Sequence, residues 1–163
     1  MSEHKRIILV GPTCAGKNFI RDKFKEKGYQ IDVSYTSREP RNGETNGIDY
    51  KFVSEDIFMS GILNKQFYEF VKYGDNYYGT GLEEWNECDV FIMETDGISK
   101  IKTEDRPNCL VIFVNTPLVL RTQRMRERGW DIKKLWERIK VDHEKFKDFV
   151  DYDFQISSVC EDG

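Results

Sequence analysis

The sequence predicts an α/β fold built around a parallel sheet. Continuous apolar runs rich in β-branched residues occur at 6–10, 89–93 and 109–115, and amphipathic charged segments separate them. Strands that are apolar along their whole length are typical of a parallel sheet buried on both faces. The run "YDFQISS" near the C-terminus predicts the last strand of this core.

The sequence pattern changes between the first and second apolar runs. The stretches "SYTSREPRNGETNGIDYKFVS" and "QFYEFVKYGDNYYGTG" read as short aromatic strands joined by Gly and Asn turns. We therefore expect residues 34–87 to form a small mixed-β subdomain inserted into the core. The core itself is expected to comprise residues 1–33, 88–128 and 150–163 of a single domain.

Two helices are predicted after the third run. The first begins near Pro117 and ends at Gly129, and the second starts at about Ile132. Apolar residues largely keep helical spacing along the second helix, which predicts that they belong to the core. These residues are Ile132, Leu135, Trp136, Ile139, Phe146, Phe149 and Val150.

Composition excludes several classes of protein. The 163 residues, 39% hydrophobic, suit one globular domain, and the chain contains no run of about 18 apolar residues that could span a membrane. We expect a soluble, cytoplasmic protein without a membrane partner. The formal net charge of −4 argues against a nucleic-acid partner. The widely spaced cysteines Cys14, Cys88, Cys109 and Cys160 argue against a zinc site and a disulfide framework.

The segment "GPTCAGKN", residues 11–18, has the GxxxxGK pattern of a phosphate-binding loop. It lies between a predicted strand and a predicted helix, where backbone N–H groups can cradle phosphates and Lys17 can reach them. This context predicts a P-loop NTPase core. Asn18 departs from the usual hydroxyl residue that ligates Mg²⁺, so we expect it to contact the metal weakly or through water.

Five motifs follow one another in an order that resembles the guanylate kinase family through most of the chain. They are "GPTCAGK", "SYTSREPRNGETNGIDYKFVS", "FYEFVKYGDNYYGTG", the acidic end of "DVFIMETDG", and "TPLVLRTQRMRERG" with "WERI". The resemblance implies a nucleoside monophosphate kinase that transfers the γ-phosphoryl group of ATP to GMP or dGMP, with Mg²⁺ accompanying ATP. It implies a short lid and a following helix at 129–149. The oligomeric state stays open.

The resemblance also assigns the substrate contacts. The expected ATP contacts are Gly11, Thr13, Cys14, Ala15, Gly16, Lys17 and Asn18. The expected contacts to the acceptor phosphate are Ser34, Arg38, Arg41, Tyr50 and Tyr78. The expected contacts to the base are Glu69, Thr80 and Asp96. Physical chemistry is consistent with these roles, because two arginines three residues apart on a turn can hold one phosphate with forked bonds.

Charge neutralisation is assigned to lysine and arginine side chains. Arg121, Arg124 and Arg128 share one helix face at i, i+3 and i+7. The resemblance implies that Lys17 and the lid arginines Arg124, Arg128 and Arg138 stabilise the transferring group. Glu94 stands where the family usually places an aspartate near the magnesium. The predicted metal contacts are therefore Asn18 and Glu94, both weak or through water.

Two alternatives remain open at this point. A kinase for another nucleoside or deoxynucleoside monophosphate would differ only in how the base is read, and Glu69, Thr80 and Asp96 argue against it. A non-catalytic guanylate-kinase-like module would hold a phosphorylated peptide in the acceptor site. Retention of Lys17 and of the lid arginines favours the enzyme, whereas Asn18 and Glu94 keep the module possible.

Overall fold

The computed structural model describes residues 5–157. The strands, in chain order, are β1 (Arg6–Val10), β2 (Tyr35–Thr36), β3 (Lys51–Phe52), β4 (Phe67–Tyr73), β5 (Asn76–Gly81), β6 (Val90–Ile92), β7 (Cys109–Val114) and β8 (Phe154–Ile156). The α-helices are α1 (Lys17–Glu26), α2 (Glu55–Leu63), α3 (Leu82–Glu87), α4 (Thr95–Ser99), α5 (Leu118–Glu127) and α6 (Ile132–Phe146).

The first sheet is parallel and has the strand order β6-β1-β7-β8. Alternate residues of β1 pack into two different clusters. Ile8 and Val10 join a cluster with Trp85 of α3, and Leu9 joins another that includes Phe24 of α1. Both faces of the sheet are therefore covered, which explains the continuous apolar runs and confirms the predicted α/β fold.

The second sheet is mixed and has the order β3-β2-β5-β4. Strands β2 and β3 are parallel, whereas β5 is antiparallel to both β2 and β4. The strands predicted between residues 34 and 87 are present, but this region also contains two helices, α2 and α3, which the sequence analysis did not predict. Phe58 of α2 stacks on Phe67 at 4.4 Å, and Gly61 permits this close approach.

Helices α5 and α6 occur where they were predicted. Helix α5 ends next to Gly129, whose positive φ of 77° suits glycine, and the Asp131 carboxylate caps α6 by accepting from the Lys134 backbone N–H at 2.8 Å. These caps hold the connection between the two helices to a short turn.

The predicted core of α6 is wrong at three positions. Ile132, Trp136 and Val150 are 70%, 55% and 82% exposed, whereas Leu135 is buried. At 100° per residue, Trp136 stands about 100° from Leu135 around the helix, and Ile132 and Val150 lie at or beyond its ends. The residues that share the line of Leu135 are Ile139, Asp142 and Phe146, so the buried stripe contains a charged residue.

The structure also bears on the expectations about membrane spans and cysteines. Within residues 5–157, no helix is long and apolar enough to cross a membrane. Cys14 and Cys109 are free thiols. The fourth cysteine, Cys160, lies outside the described residues.

Candidate active site

A cleft runs between the two sheets, at the carboxyl ends of β1 and β6. Its inner cavity, of about 460 Å³, reaches Glu69 and Thr80 of the mixed sheet. Its loop cavity, of about 410 Å³, is lined by residues 13–19. The two cavities share several lining residues, among them Thr13 and Glu94, so they are two ends of one cleft. Ligand sites of α/β proteins commonly lie at this edge of the sheet.

The loop after β1 turns sharply back over the start of α1. A Cβ atom at Gly11 would lie 2.4 Å from the backbone oxygen of Val114, so β7 leaves room only for glycine. Cys14 and Gly16 have positive φ angles of 60° and 97°. This curled backbone ahead of a helix N-terminus is suited to binding phosphate.

Lys17 sits at the base of this loop. Its Nζ donates to the backbone oxygens of Gly11 at 2.5 Å and Pro12 at 3.1 Å. Burial lowers the pKa of Lys17, while the carboxylates of Glu94 and Asp142 oppose that shift. The ammonium is thus held inside the loop, among groups that converge on the loop cavity.

Asp142 ties α5 and α6 to the loop. It is 2% exposed and accepts from the Thr13 backbone N–H at 2.9 Å. Arg121 approaches the same carboxylate at 3.3 Å and Arg138 at 3.2 Å. Arg138 also donates to the Thr13 hydroxyl and, at 2.7 Å, to the Tyr73 hydroxyl. One buried carboxylate therefore positions two arginines beside the loop.

The predicted lid arginines all reach the cleft. Arg124 donates to the backbone oxygen of Cys14 at 2.9 Å, and both Arg124 and Arg128 line the loop cavity. Arg138 lines the inner cavity. Three guanidinium groups are therefore arranged around the space next to the loop.

The Arg38 guanidinium and the Arg41 backbone both donate to one carboxylate. The Arg38 guanidinium donates to Glu44 with two bonds of 2.9 and 3.0 Å, and the Arg41 backbone N–H donates to Glu44 at 2.7 Å. Burial would raise the pKa of Glu44, but these donors hold it below its usual value. A forked guanidinium of this kind also suits a phosphate.

Two tyrosines stand beside these arginines. The rings of Tyr50 and Tyr78 contact each other with centroids 6.0 Å apart, and both line the inner cavity. Burial raises the pKa of Tyr50 to about 12, so its hydroxyl keeps its proton and can donate to an anion.

Glu69 lies at the far end of the inner cavity. It is 8% exposed, and the Thr80 hydroxyl donates to its Oε1 at 2.8 Å. A Cβ atom at Gly97 would lie 3.1 Å from Oε2, so glycine allows this carboxylate to pack against α4. Burial raises the pKa of Glu69, and the bonds from Thr80 and the charge of Lys100 oppose the shift.

The structure brings together most of the predicted site residues, and two of them lie apart from the cavity walls. Gly11 shapes the loop through its backbone without lining either cavity. Asp96 is exposed on the first turn of α4, where the next residue, Gly97, faces the cleft instead. A contact between Asp96 and a base therefore stays a prediction.

Asn18 and Glu94 both line the loop cavity. Lys145 donates to Glu94 Oε2 at 2.9 Å. Burial would raise the pKa of Glu94, but Lys145 and Lys17 hold it below its usual value. Within residues 5–157, no cluster of three His, Cys, Asp or Glu side chains could hold a metal ion. One carboxylate and one amide fit a Mg²⁺ ion that keeps phosphate and water as its other ligands.

Sequence reasoning missed several residues of the site, among them Asp32, Glu44, Tyr73, Asp142 and Lys145. Asp142 had a detectable signal, because it lies seven residues after Leu135 and therefore on the buried stripe of α6. Tyr73 and Lys145 have no comparable signal, since they meet through a cation–π contact of 4.3 Å between distant elements. Asp32 lines the loop cavity and is described below.

Comparison with known proteins finds relatives over nearly the whole chain. The family model described as guanylate kinase matches residues 3–159. The guanylate kinase of Mycoplasmopsis pulmonis is 37% identical over 172 residues, which covers 95% of this chain and 88% of that protein. The guanylate kinase of Latilactobacillus sakei is 32% identical over 161 residues, covering 92% of this chain and 79% of that protein.

A solved structure shows a similar fold. The crystal structure of guanylate kinase from Anaplasma phagocytophilum superposes with a TM-score of 0.70 at 22% identity. The match covers 96% of this chain and 77% of that one.

Proposed function

The chain belongs to the guanylate kinase family of nucleoside monophosphate kinases, and we propose that it transfers the γ-phosphoryl group of ATP to GMP or dGMP. The observation that carries this proposal is a single cleft with a phosphate-binding loop at one end and the buried Glu69–Thr80 pair at the other. The products are ADP and GDP or dGDP.

The loop cavity receives ATP in this proposal. Backbone N–H groups of the curled loop and the Lys17 ammonium bind the phosphates of ATP. Arg124, Arg128 and Arg138 surround the group in transfer. Phosphoryl transfer depends mainly on positioning and on neutralising charge, and these cations supply both.

The inner cavity receives the acceptor nucleotide. Its phosphate binds to Arg38 and Arg41, with hydroxyl groups from Ser34, Tyr50 and Tyr78. The support is that the Arg38 guanidinium already makes a forked bond to the carboxylate of Glu44, an anion whose oxygens accept as phosphate oxygens do, and that Arg41 lines the same cavity.

Glu69 and Thr80 select the base. Guanine presents N1–H and an exocyclic amine side by side, and one carboxylate can accept from both. Adenine has an unprotonated N1 at this edge and would leave the buried Glu69 carboxylate without a donor, which is heavily penalised in a dry site. The acceptor is therefore a guanine nucleotide.

Magnesium is the expected cofactor, held with ATP by Asn18 and Glu94 directly or through water. When bound, the ion would supply additional neutralisation of phosphate charge. The roles of Lys17 and the three arginines do not depend on which of its ligands come from the protein.

We propose that the reaction takes place in the cytoplasm, with nucleotides as the small-molecule partners. The free thiols of Cys14 and Cys109 suit a reducing compartment. The acidic net charge of −4 disfavours a nucleic-acid partner.

An assay of ADP release tests the proposal directly. The full-length chain is given ATP and Mg²⁺ with each common nucleoside and deoxynucleoside monophosphate in turn. We expect rapid turnover with GMP and dGMP and little with AMP, CMP or UMP. Absence of turnover with every monophosphate, together with binding of GMP or a phosphopeptide, would support the non-catalytic module.

The Asn18→Ser variant tests the magnesium contact. A serine hydroxyl can ligate the ion directly, so we expect activity to persist and the Mg²⁺ concentration for half-maximal rate to fall. Measuring the rate over a Mg²⁺ titration checks this, with Asn86→Ser on the exposed face of α3 as the control. An unchanged Mg²⁺ requirement in Asn18→Ser would contradict a role for residue 18 at the metal.

A further inference from the structure

Asp32 is a buried carboxyl group that no assigned role explains. It is 9% exposed and lines the loop cavity together with Ser34. Its backbone N–H donates to Val90 at 2.9 Å, which fixes it beside the parallel sheet. Its Oδ2 lies 2.6 Å from the Ser34 hydroxyl, whereas its buried Oδ1 has no hydrogen-bond partner.

The charged groups around Asp32 do not neutralise a negative charge on its carboxylate. The titratable groups that act on it or are shifted by it are Lys51 of β3, Glu69 of β4, Glu84 of α3 and Cys88 beyond α3. Lys51 donates to Glu84, and Arg38, which lines the same cavity as Asp32, donates two hydrogen bonds to Glu44. These two cations, Lys51 and Arg38, are thus engaged by other carboxylates.

Protonation of Asp32 removes this uncompensated negative charge. Burial raises the pKa of Asp32 to about 7, with the Ser34 hydrogen bond opposing the shift and the carboxylate of Glu84 adding to it. A neutral carboxyl group leaves its unpartnered Oδ1 much less penalised than an ionised one would. Near neutral pH, Asp32 therefore exists in both protonation states.

The two states have opposite effects on Ser34. Ionised Asp32 accepts a hydrogen bond from the single hydroxyl proton of Ser34, whose oxygen then presents only lone pairs to the cavity. Protonated Asp32 donates its own O–H to Ser34 Oγ across the same 2.6 Å contact, and the Ser34 proton becomes available to a phosphate oxygen. The conversion takes up one proton from solvent and changes no other bond.

We propose that Asp32 is a positioning residue whose proton decides whether Ser34 can donate to the acceptor phosphate. This inference rests on the proposed function, since it concerns the acceptor site of the same reaction. It makes GMP binding a proton-coupled event: the complex holds a proton on Asp32 that the unbound protein loses at higher pH.

The sign of the coupling follows from charge. A phosphate dianion beside Asp32 raises the pKa of Asp32 further, because like charges disfavour ionisation. Below pH 7 Asp32 is already protonated, so GMP binding takes up only a small fraction of a proton. Above pH 7 binding takes up as much as one proton, and GMP affinity falls by up to about tenfold per pH unit.

Calorimetry of GMP binding to the full-length chain tests this between pH 6 and 9. Repeating each titration in two buffers of different ionisation enthalpy gives the number of protons exchanged. The phosphate of GMP, with a second pKa of about 6, is fully ionised above pH 7.5 and contributes no protons there. In the parent we expect uptake of as much as one proton at pH 7.5–8.5.

The Asp32→Asn variant is expected to lose this uptake and to keep GMP affinity at high pH, because the amide N–H donates permanently to Ser34 Oγ. Asp49→Asn is the matched control, since Asp49 lines the same cavity and bonds to the Thr45 backbone instead of Ser34. That control is expected to retain the proton uptake of the parent. Equal uptake in the parent and in Asp32→Asn overturns the inference.

Ser34→Ala supplies a second test that does not require changing Asp32. Removing the hydroxyl should weaken GMP binding strongly at pH 6, where Ser34 donates to the phosphate, and weakly at pH 9, where Asp32 already engages it. A loss of affinity that is the same at both pH values overturns the inference. Failure of the parent to bind GMP at any pH overturns the proposed function, and the inference with it.

Discussion

Replacing Lys17 with alanine is expected to lower kcat by about 100-fold or more, because the substitution removes a cation that neutralises charge in the transition state. The half-buried Lys17 donates from its ammonium to the Gly11 and Pro12 carbonyl oxygens inside the loop. These contacts hold it where the β and γ phosphates of ATP are expected. Single-turnover and steady-state measurements of ADP production give the change in kcat.

Lys23→Ala is the matched control for this prediction. Lys23 lies on the same helix, is exposed, and pairs only with Glu26 among the described salt bridges. Its loss should leave kcat within about twofold of the parent. Thermal unfolding of both variants shows whether they are folded. A Lys17→Ala variant that is folded and retains the parental kcat would contradict the assignment of the loop.

The Glu69→Gln variant is expected to weaken GMP use far more than ATP binding. An amide cannot accept equally from the two guanine donors, and loss of a buried charge-assisted pair corresponds to roughly 2 to 4 kcal/mol in kcat/KM. The buried position of Glu69 and its bond from Thr80 leave little freedom for another side chain to compensate. Measuring kcat/KM for GMP and AMP and the Kd for ATP checks this.

Glu87→Gln provides the comparison, since Glu87 is exposed at the end of α3 in the same region of the chain. It should behave like the parent with both nucleotides. If Glu69→Gln leaves the ratio of GMP to AMP use unchanged, Glu69 does not read the base, and the guanine preference must come from other residues of the inner cavity.

The parts of the fold that were predicted correctly depend on neighbours in sequence. The apolar runs that became β1, β6 and β7 indicate strands because each residue of a doubly covered strand must be apolar. The phosphate loop is also a local feature, since Gly11 to Lys17 suffice to define its turn and its lysine. The family comparisons confirm the assignment that these motifs suggested.

The errors arose where local pattern and tertiary environment disagree. Helix α2 lies between the two stretches that were predicted as strands, and it was not predicted. It is stabilised by the Ser54 cap and by the packing of Phe58 against the mixed sheet. Trp136 was predicted as core because apolar spacing alone does not define how wide the buried stripe is. Asp142 occupies the middle of that stripe instead.

The sequence by itself determined the fold class, the phosphate loop and the family, because these follow from short-range periodicity and from motifs of consecutive residues. Only the tertiary structure decided which charged groups meet in the cleft. Asp142 reaches the Thr13 backbone across 129 positions of the chain, and Lys145 reaches Glu94 across 51. In the sequence, nothing distinguishes Asp32, between Ile31 and Val33, from an ordinary polar residue. In the folded protein it is buried against Ser34. Burial and pairing of charges depend on neighbours that are distant in sequence, so composition and spacing do not reveal them.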